Sequence, residues 1–386
     1  MNYWKIATPE LLLFGSNKAD DLFDALSDLK FKKPFLVIDP QVKKTQKGKK
    51  LSISIKKIGG EIFDQISTNP NTAQVNHLSK KLSNFCPDVI VGIGGGSTID
   101  ASKASNLTYT NGGIIQDYLN GKKSKKPLLP MIFLPTTAGT GSEASPFAVI
   151  KDDQQTSKRG IENYQFLPKL VILDPNFLSS LSSVLIAATG IDALTHIVES
   201  YLSKKANDIT RSSAKGLLNN IICNLEKAVF KRDNKSFLKM MNAAFTSRLL
   251  YPRTGLTIAH ALSHPLSAFT NIHHGLAVAF FLKESLLFNE PYCHQELRNI
   301  SSLLGFKNTN SFYKWLDNFF IKSKITSEIH EYLLDKNPPI KQMAVDTMKS
   351  SNIPSNPREV TEKNLKTVIK KSFKYWGLNE TRKSDT

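Results

Sequence analysis

Two periodicities alternate along the first hundred residues. PELLLFG (9–15) is a short apolar run closed by a glycine, and PFLVID (34–39) is continuously apolar up to an acid. Between them, DDLFDALSDL (20–29) spaces Leu22, Phe23, Leu26 and Leu29 at helical steps. The first and third stretches read as strands, the third buried on both faces, and the middle one as a helix. A lysine-rich helix follows, then a strand in GGEIFDQIS (59–67), a turn at TNPN (68–71) and a helix around 72–85. PDVIVGIGGGSTIDASKASNL (87–107) reads as strand, glycine loop and helix, with Ser97 opening the helix. PLLPMIFLPTTAGTGSEAS (127–145) adds an apolar strand and a threonine-rich loop. Repeated strand–helix order predicts a Rossmann-like, doubly wound parallel sheet. From about residue 180 the apolar positions fall at three- and four-residue steps, in 209–230, 235–250, 296–305, 310–320, 325–335 and 356–373, the last capped by Thr361. Such spacing marks core, and no internal repeat is present. The expected architecture is an α/β domain over residues 1–175 and an all-α domain over 176–386, divided at Asp174-Pro175, with a frayed tail at 379–386.

Composition narrows the class. A chain of 386 residues is long for one core, which agrees with two domains. With 40% hydrophobic and 22% charged residues it reads as globular. Cys86, Cys223 and Cys293 form no CxxC pair and no disulfide framework, as expected in a reducing compartment. No cleavable leader and no apolar stretch of spanning length is visible, so the expected location is cytoplasmic. The formal charge of +18 raises nucleic acid or an anionic membrane as partners. The lysines are dispersed, however, in runs no longer than KK (43–44), KGKK (47–50) and KKSKK (122–126), without interleaved aromatics or a recognition signature. The charge reads as solvated surface, with neither a specific nucleic acid nor a membrane as partner.

Chemistry concentrates in three places. Five of the eight histidines, His196, His260, His264, His273 and His274, lie between Gly190 and Gly275. Asp192 and His196 are four residues apart, as are His260 and His264, so each pair shares a helix face. One such histidine is usually a core or surface residue. Two helices each offering an O/N or N/N pair can build a divalent metal site. The second place is Gly92, Gly94, Gly95 and Gly96, set between an apolar strand and a helix. Bare backbone there can approach a pyrophosphate, helped by the helix N-terminus. A tight turn would use glycine too, and Ser97 stands where the usual GxGxxG pattern has its third glycine. No acid follows about 20 residues on; the strand-ending acid available to a ribose is Asp39, upstream. Thirdly, Thr136, Thr137, Gly139, Thr140, Gly141 and Ser142 follow a strand, where hydroxyls suit a ligand at the sheet's carboxyl edge.

GGGSTIDASK (94–103), PTTAGTGSE (135–143), GIDALTHIVESY (190–201) and HALSHPL with HHG (260–275) together resemble the iron-containing, or group III, alcohol dehydrogenase family. The likeness runs from Phe14-Gly15 through VID (37–39) and NP (69–70) to NPREVT (356–361). It implies the dehydroquinate synthase-like fold, an α/β dinucleotide-binding domain followed by an all-α metal-binding domain. It implies Asp192, His196, His260 and His274 as ligands of Fe²⁺ or Zn²⁺, with His264 close to the substrate in proton transfer. Gly94, Gly95, Gly96, Ser97 and Asp100 match the pyrophosphate loop, and Thr136, Thr137, Thr140 and Ser142 the second cofactor loop. Asn69 and Lys158 match positions near the nucleotide, and Asp39 the acid at the adenosine ribose, which favours NAD over NADP unless Lys43 and Lys44 offset it. One departure is His273, where the family often has proline; His274, beside Gly275, keeps the family spacing.

The resemblance implies hydride transfer between nicotinamide and a small aldehyde or primary alcohol, and assembly as a homodimer or larger. Glycerol or glycerol-1-phosphate dehydrogenase, maleylacetate reductase and dehydroquinate synthase-like lyase activity are alternatives within the superfamily. ESYLSKKAND (199–208) and RTG (253–255) faintly resemble the phosphonoacetaldehyde-reducing branch, and Arg159 and Arg253 would suit an anionic aldehyde.

Overall fold

The apolar run at 34–39 does become a strand buried on both faces. In a computed structural model that describes residues 7–154 and 157–378 (except the side chains of residues 250, 252 and 253), Phe35 and Val37 enter one hydrophobic cluster. Leu36 and Ile38 enter another on the opposite face. Ile90, Met131 and Phe133 join the first, and Val91, Ile93, Ile132 and Leu134 the second. Helices can therefore cover both sides, which is why these strands carry no polar alternation.

The strands are β1 (Leu11–Phe14), β2 (Pro34–Ile38), β3 (Glu61–Phe63), β4 (Val89–Gly94), β5 (Met131–Pro135), β6 (Phe147–Asp152), β7 (Ser157–Glu162) and β8 (Leu170–Leu173). Six form one sheet in the order β1-β8-β5-β4-β2-β3, every pair parallel. The chain runs outward from β2 to β3, then returns to β4 and proceeds the other way to β5. The strand order thus reverses between β2 and β4, and the carboxyl ends there border the crevice in which open sheets bind ligands. The expected doubly wound parallel sheet is present. β3 is shorter than the stretch predicted for it. The antiparallel pair β6–β7 has no counterpart in the sequence reading.

The helices beside the sheet are α1 (Leu22–Asp28), α2 (Pro40–Lys44), α3 (Gln46–Lys57), α4 (Thr72–Phe85), α5 (Gly96–Asn111) and α6 (Ile115–Leu119). Beyond β8 come α7 (Ser183–Leu202), α8 (Asp208–Glu226), α9 (Asn234–Thr254), α10 (Ile258–Thr270) and α11 (His274–Asn289). The series ends with α12 (His294–Leu303), α13 (Thr309–Lys322), α14 (Ile325–Leu333), α15 (Ile340–Met348) and α16 (Glu362–Tyr375). Thr361 accepts from Asn364 N and caps α16 as expected. By contact density the described chain separates into two compact units. One holds Ile6–Leu181 with Asp233–Leu249, the other Ser182–Arg232 with the residues from Leu250 onward. Asp174, of the expected boundary pair, is fully buried in the first and accepts from the backbone of Asn17, Ala19 and Asn176 and from Lys47. Among the described residues no helix is long and apolar enough to cross a membrane. The tail at 379–386 lies outside them.

Candidate active site

In the helical unit, α7 is buried almost from end to end and carries Asp192 and His196 one turn apart. α10 carries His260 and His264, and α11 opens on His274. Their donors meet at one oxygen. Asp192 Oδ1 lies 3.2 Å from His260 Nε2, 3.7 Å from His274 Nε2 and 3.9 Å from His196 Nε2. One ligand atom from each of Asp192, His260 and His274 falls within 4.8 Å of the others. The other carboxylate oxygen, Oδ2, is buried without a hydrogen-bond partner among the described residues. A buried carboxylate with an orphaned oxygen, faced by imidazole nitrogens, fits a divalent cation that accepts mixed O/N ligands.

Charge explains why the carboxylate tolerates this place. Burial pushes Asp192 upward, but His196, His274 and the bond to His260 outweigh it and hold the carboxyl well below its usual range. Burial pushes His260 downward, yet Glu199 and Asp192 carry it up to about 9. Glu199 is the residue that the sequence reading missed. His260 Nδ1 donates to its Oε2 at 2.6 Å, while Oε1 accepts from Ala259 N at 2.9 Å and from the Thr257 hydroxyl. The signal was available, since Glu199 stands seven residues after Asp192 and so on the same face of α7.

The remaining histidines separate by role. The His196 ring stacks between Tyr251 and His260, with centroids 5.1 and 4.4 Å away. His264 is half-buried, its ring 5.7 Å from that of His274. His273 caps α11 instead of pointing inward: its Nδ1 accepts from Gly275 N at 3.2 Å. Gly275 is required there because a Cβ would sit 2.6 Å from the Ala188 carbonyl oxygen. The close approach of α11 to α7, which brings His274 to Asp192, needs the missing side chain.

In the sheet unit the two loops lie against each other at the ends of β4 and β5. Thr136 N donates to the Gly94 carbonyl at 3.0 Å. A Cβ on Gly96 would come within 2.7 Å of the Thr140 hydroxyl, and one on Gly95 within 3.3 Å of Thr137. Helix α5 begins at Gly96 with Gly95 as an N-cap that has no side chain to offer. Its first N–H groups are thereby suited to an anion. Asn69 N donates to Ser97 Oγ at 3.2 Å, and Lys158 Nζ donates to Asn69 Oδ1 at 2.6 Å. Asp39 sits beyond β2, its N–H donating to the Ile93 carbonyl and its Oδ1 accepting from Gln41 N and Val42 N. Lys43 pairs with Asp64 at 2.6 Å. The Asp100 carboxylate accepts from the Ser142 hydroxyl and, at 3.0 Å, from Val149 N. The candidate residues thus gather as two sets, one in each unit.

Arg159 engages its guanidinium within the sheet unit. It donates to Asn120 at 2.9 Å, to Asp152 at 3.3 Å and to the Leu119 carbonyl, fastening β7 to the end of α6. The Arg253 side chain lies outside the described residues.

Residues 9–175 match the sequence profile of the iron-containing alcohol dehydrogenases, and residues 186–373 that of the C-terminal domain of the same family. The chain belongs to the iron-containing alcohol dehydrogenase family. It is 30% identical over 383 residues to alcohol dehydrogenase 4 of Saccharomyces cerevisiae, covering 95% of this chain and 98% of that one. To 1,3-propanediol dehydrogenase of Citrobacter freundii it is 28% identical over 379 residues, covering 95% and 97%. Among solved structures, a 1,3-propanediol oxidoreductase superposes with a TM-score of 0.85 at 27% identity, over 96% of this chain and 100% of that one. Sulfoacetaldehyde reductase of Bifidobacterium kashiwanohense in complex with NAD⁺ does so with a TM-score of 0.85 at 25% identity, over 95% and 98%.

Proposed function

We propose that the protein is a metal-dependent, NAD-linked dehydrogenase that interconverts a small aldehyde and its primary alcohol. The observation that carries this reading is the buried meeting of the Asp192, His260 and His274 donors within 4.8 Å. In this reading Asp192, His196, His260 and His274 hold Fe²⁺ or Zn²⁺. When bound, the cation polarises the substrate oxygen as a Lewis acid, and the nicotinamide takes or gives the hydride. The chain's own residues do the rest. Glu199 accepts the His260 Nδ1–H and so leaves Nε2 as the nitrogen that would face a cation. His264, one turn from His260 and beside His274, moves the proton to or from the substrate oxygen.

For the dinucleotide, Gly94, Gly95, Gly96 and Ser97 receive the pyrophosphate, with Thr136, Thr137 and Thr140 closing over it. Asp39 favours NAD because its charge opposes a 2′-phosphate, and the pairing of Lys43 with Asp64 removes one cation that would have offset it. An anionic aldehyde such as phosphonoacetaldehyde is the finer proposal. The formal charge of +18 and the likeness to a sulfoacetaldehyde reductase support it. Assembly as a homodimer or larger is supported by the edge strand β1, where Leu11, Leu12 and Phe14 are exposed. Sedimentation velocity showing only monomer would remove that part of the reading.

The deciding experiment joins metal analysis to rates on propanal and phosphonoacetaldehyde with NADH and NADPH. The expected result is stoichiometric metal, faster oxidation of NADH than of NADPH, and a preference for the anionic aldehyde. Equal rates on the two aldehydes would remove that preference alone. His260→Ala is expected to lose its metal and most of its turnover while still unfolding cooperatively. A variant that keeps near-normal turnover together with its metal would overturn the assignment.

A further inference from the structure

We propose that the buried Lys103 and the half-buried Asp100 form a clasp that sets the shape of the threonine-rich loop, and that Lys103 is a positioning residue for dinucleotide binding. This rests on the reading of that loop as the NAD site.

Lys103 is fully buried in the middle of α5. A lysine rarely occupies such a place, because its ammonium must replace every lost water contact. Here it does so with three carbonyls, donating from Nζ to Ser142 at 2.6 Å, Ser145 at 2.8 Å and Phe147 at 2.9 Å. Three N–H bonds meet three acceptors, which is the full capacity of the group. Asp100 lies one turn earlier on the same helix face. Its two oxygens take the Ser142 hydroxyl and Val149 N. Five bonds from two side chains therefore grip a single stretch, from Ser142 to Val149.

That stretch is the far end of the loop whose near end is tied to β4 through Thr136 N and the Gly94 carbonyl. Between the two anchors, Thr137 and Thr140 stand against Gly95 and Gly96. Gly141, at φ +56°, turns the chain into the clasp, and a Cβ there would come within 2.7 Å of the Ala244 carbonyl oxygen. Burial pushes the Lys103 ammonium down to about 7, Asp100 opposing the fall, Arg248 adding to it and Glu143 opposing it. Packing alone gives no reason for such an arrangement, since a methionine would fill the space without desolvating a charge. Three convergent carbonyls at the end of a ligand loop do give one. Lys103 is too deeply buried to touch a dinucleotide, so any effect it has on binding passes through the loop.

The test compares wild type with Lys103→Met, which removes all three donors, and Lys103→Gln, which keeps two. NADH affinity is read from nicotinamide fluorescence, alongside KM for NADH, kcat at saturating NADH, bound metal and melting temperature. Lys103→Met is expected to weaken NADH binding and raise its KM by about tenfold or more, with Lys103→Gln intermediate. Metal content and saturating kcat should stay within about threefold. NADH binding within twofold of wild type in Lys103→Met, with a lowered melting temperature, would make the lysine merely structural and overturn the proposal. Parallel loss of metal and NADH would overturn it too. Should Lys103→Met fail to fold, Lys103→Gln decides by the same criteria. A wild-type chain that binds its metal but no NADH would instead overturn the dinucleotide reading, and the clasp with it.

Discussion

Glu199 accepts three hydrogen bonds with two oxygens, and each of its partners belongs to the start of α10 or to the residue capping it. One carboxylate therefore both fastens α10 to α7 and fixes the tautomer of His260. Imidazole ligands whose second nitrogen is held in this way bind metal better, and loss of the holder costs about 10–100-fold in affinity. Glu199→Ala is expected to show that loss in chelator competition against Zn²⁺. Thr257→Val, which removes only the hydroxyl bond, should keep nearly all of the affinity. Wild-type affinity in Glu199→Ala would show that the carboxylate merely joins helices. Helical spacing alone pairs Asp192 with His196 and His260 with His264, whereas His274 entered the candidate set only through the family resemblance. Glu199 was not legible, because an acid three residues past a histidine is common and its partner is 61 positions away in the chain. Within the adjacent pair at 273 and 274, the family spacing favoured His274, while no local pattern distinguishes the two. Which histidine turns inward depends on where α11 begins, and the bond from Gly275 N to His273 shows that His273 is the cap.

Among the elements, those carried by one strong local signal were foreseen closely. α4 spans Thr72–Phe85, and Asn71 with Gln74 forms the capping box that starts it. β2 and β4 were legible because burial on both faces leaves an unbroken apolar run. β7 was not, since SKRGIE has neither alternation nor apolarity, and β6 was not foreseen although FAVIKD alternates in burial. β7 is held by the neighbouring strand β6 and by the Arg159 bonds to Asp152, seven residues away, and to Asn120, thirty-nine away. α15 was also missed, its buried positions being only Met343, Ala344 and Thr347. α10 was read correctly as a helix even though it contains Pro265. The proline leaves the Ala261 carbonyl without its usual helical donor. Asp100, expected in the pyrophosphate loop, bonds to the second loop in the structure. On α5 it lies a full turn inside the helix, so its carboxylate reaches Ser142 and Val149.

For the molecule as a whole, the charged groups buried in the sheet unit give stability a readable pH dependence. Burial pushes Glu143 up to about 7, while Lys103 and Arg248 oppose this and Asp100 adds to it. The folded state therefore holds a proton that the unfolded chain releases near 4.5. Its stabilising contribution is complete below that value and fades as pH rises from about 4.5 to about 7, by roughly 3 kcal/mol at most. Lys103, lowered to about 7, has the opposite slope, and stability recovers as pH rises from 7 toward 10.5. Urea denaturation of wild type and Glu143→Gln at pH 5, 6 and 7 should show wild type losing stability relative to the variant across this range. Parallel curves would mean that Glu143 titrates normally. By itself the sequence determined the parallel sheet, the helical second half, the glycine and threonine loops after β4 and β5, and the helical pairing of Asp192 with His196 and of His260 with His264, because periodicity and i,i+4 spacing are local properties of the chain. Only the tertiary structure decided that Glu199 holds His260, that His273 caps α11, and that Lys103 and Asp100 bond the stretch from Ser142 to Val149. The bonds of Glu199 to His260 and of Lys103 and Asp100 to the loop join residues 39 to 61 positions apart, which no local pattern pairs.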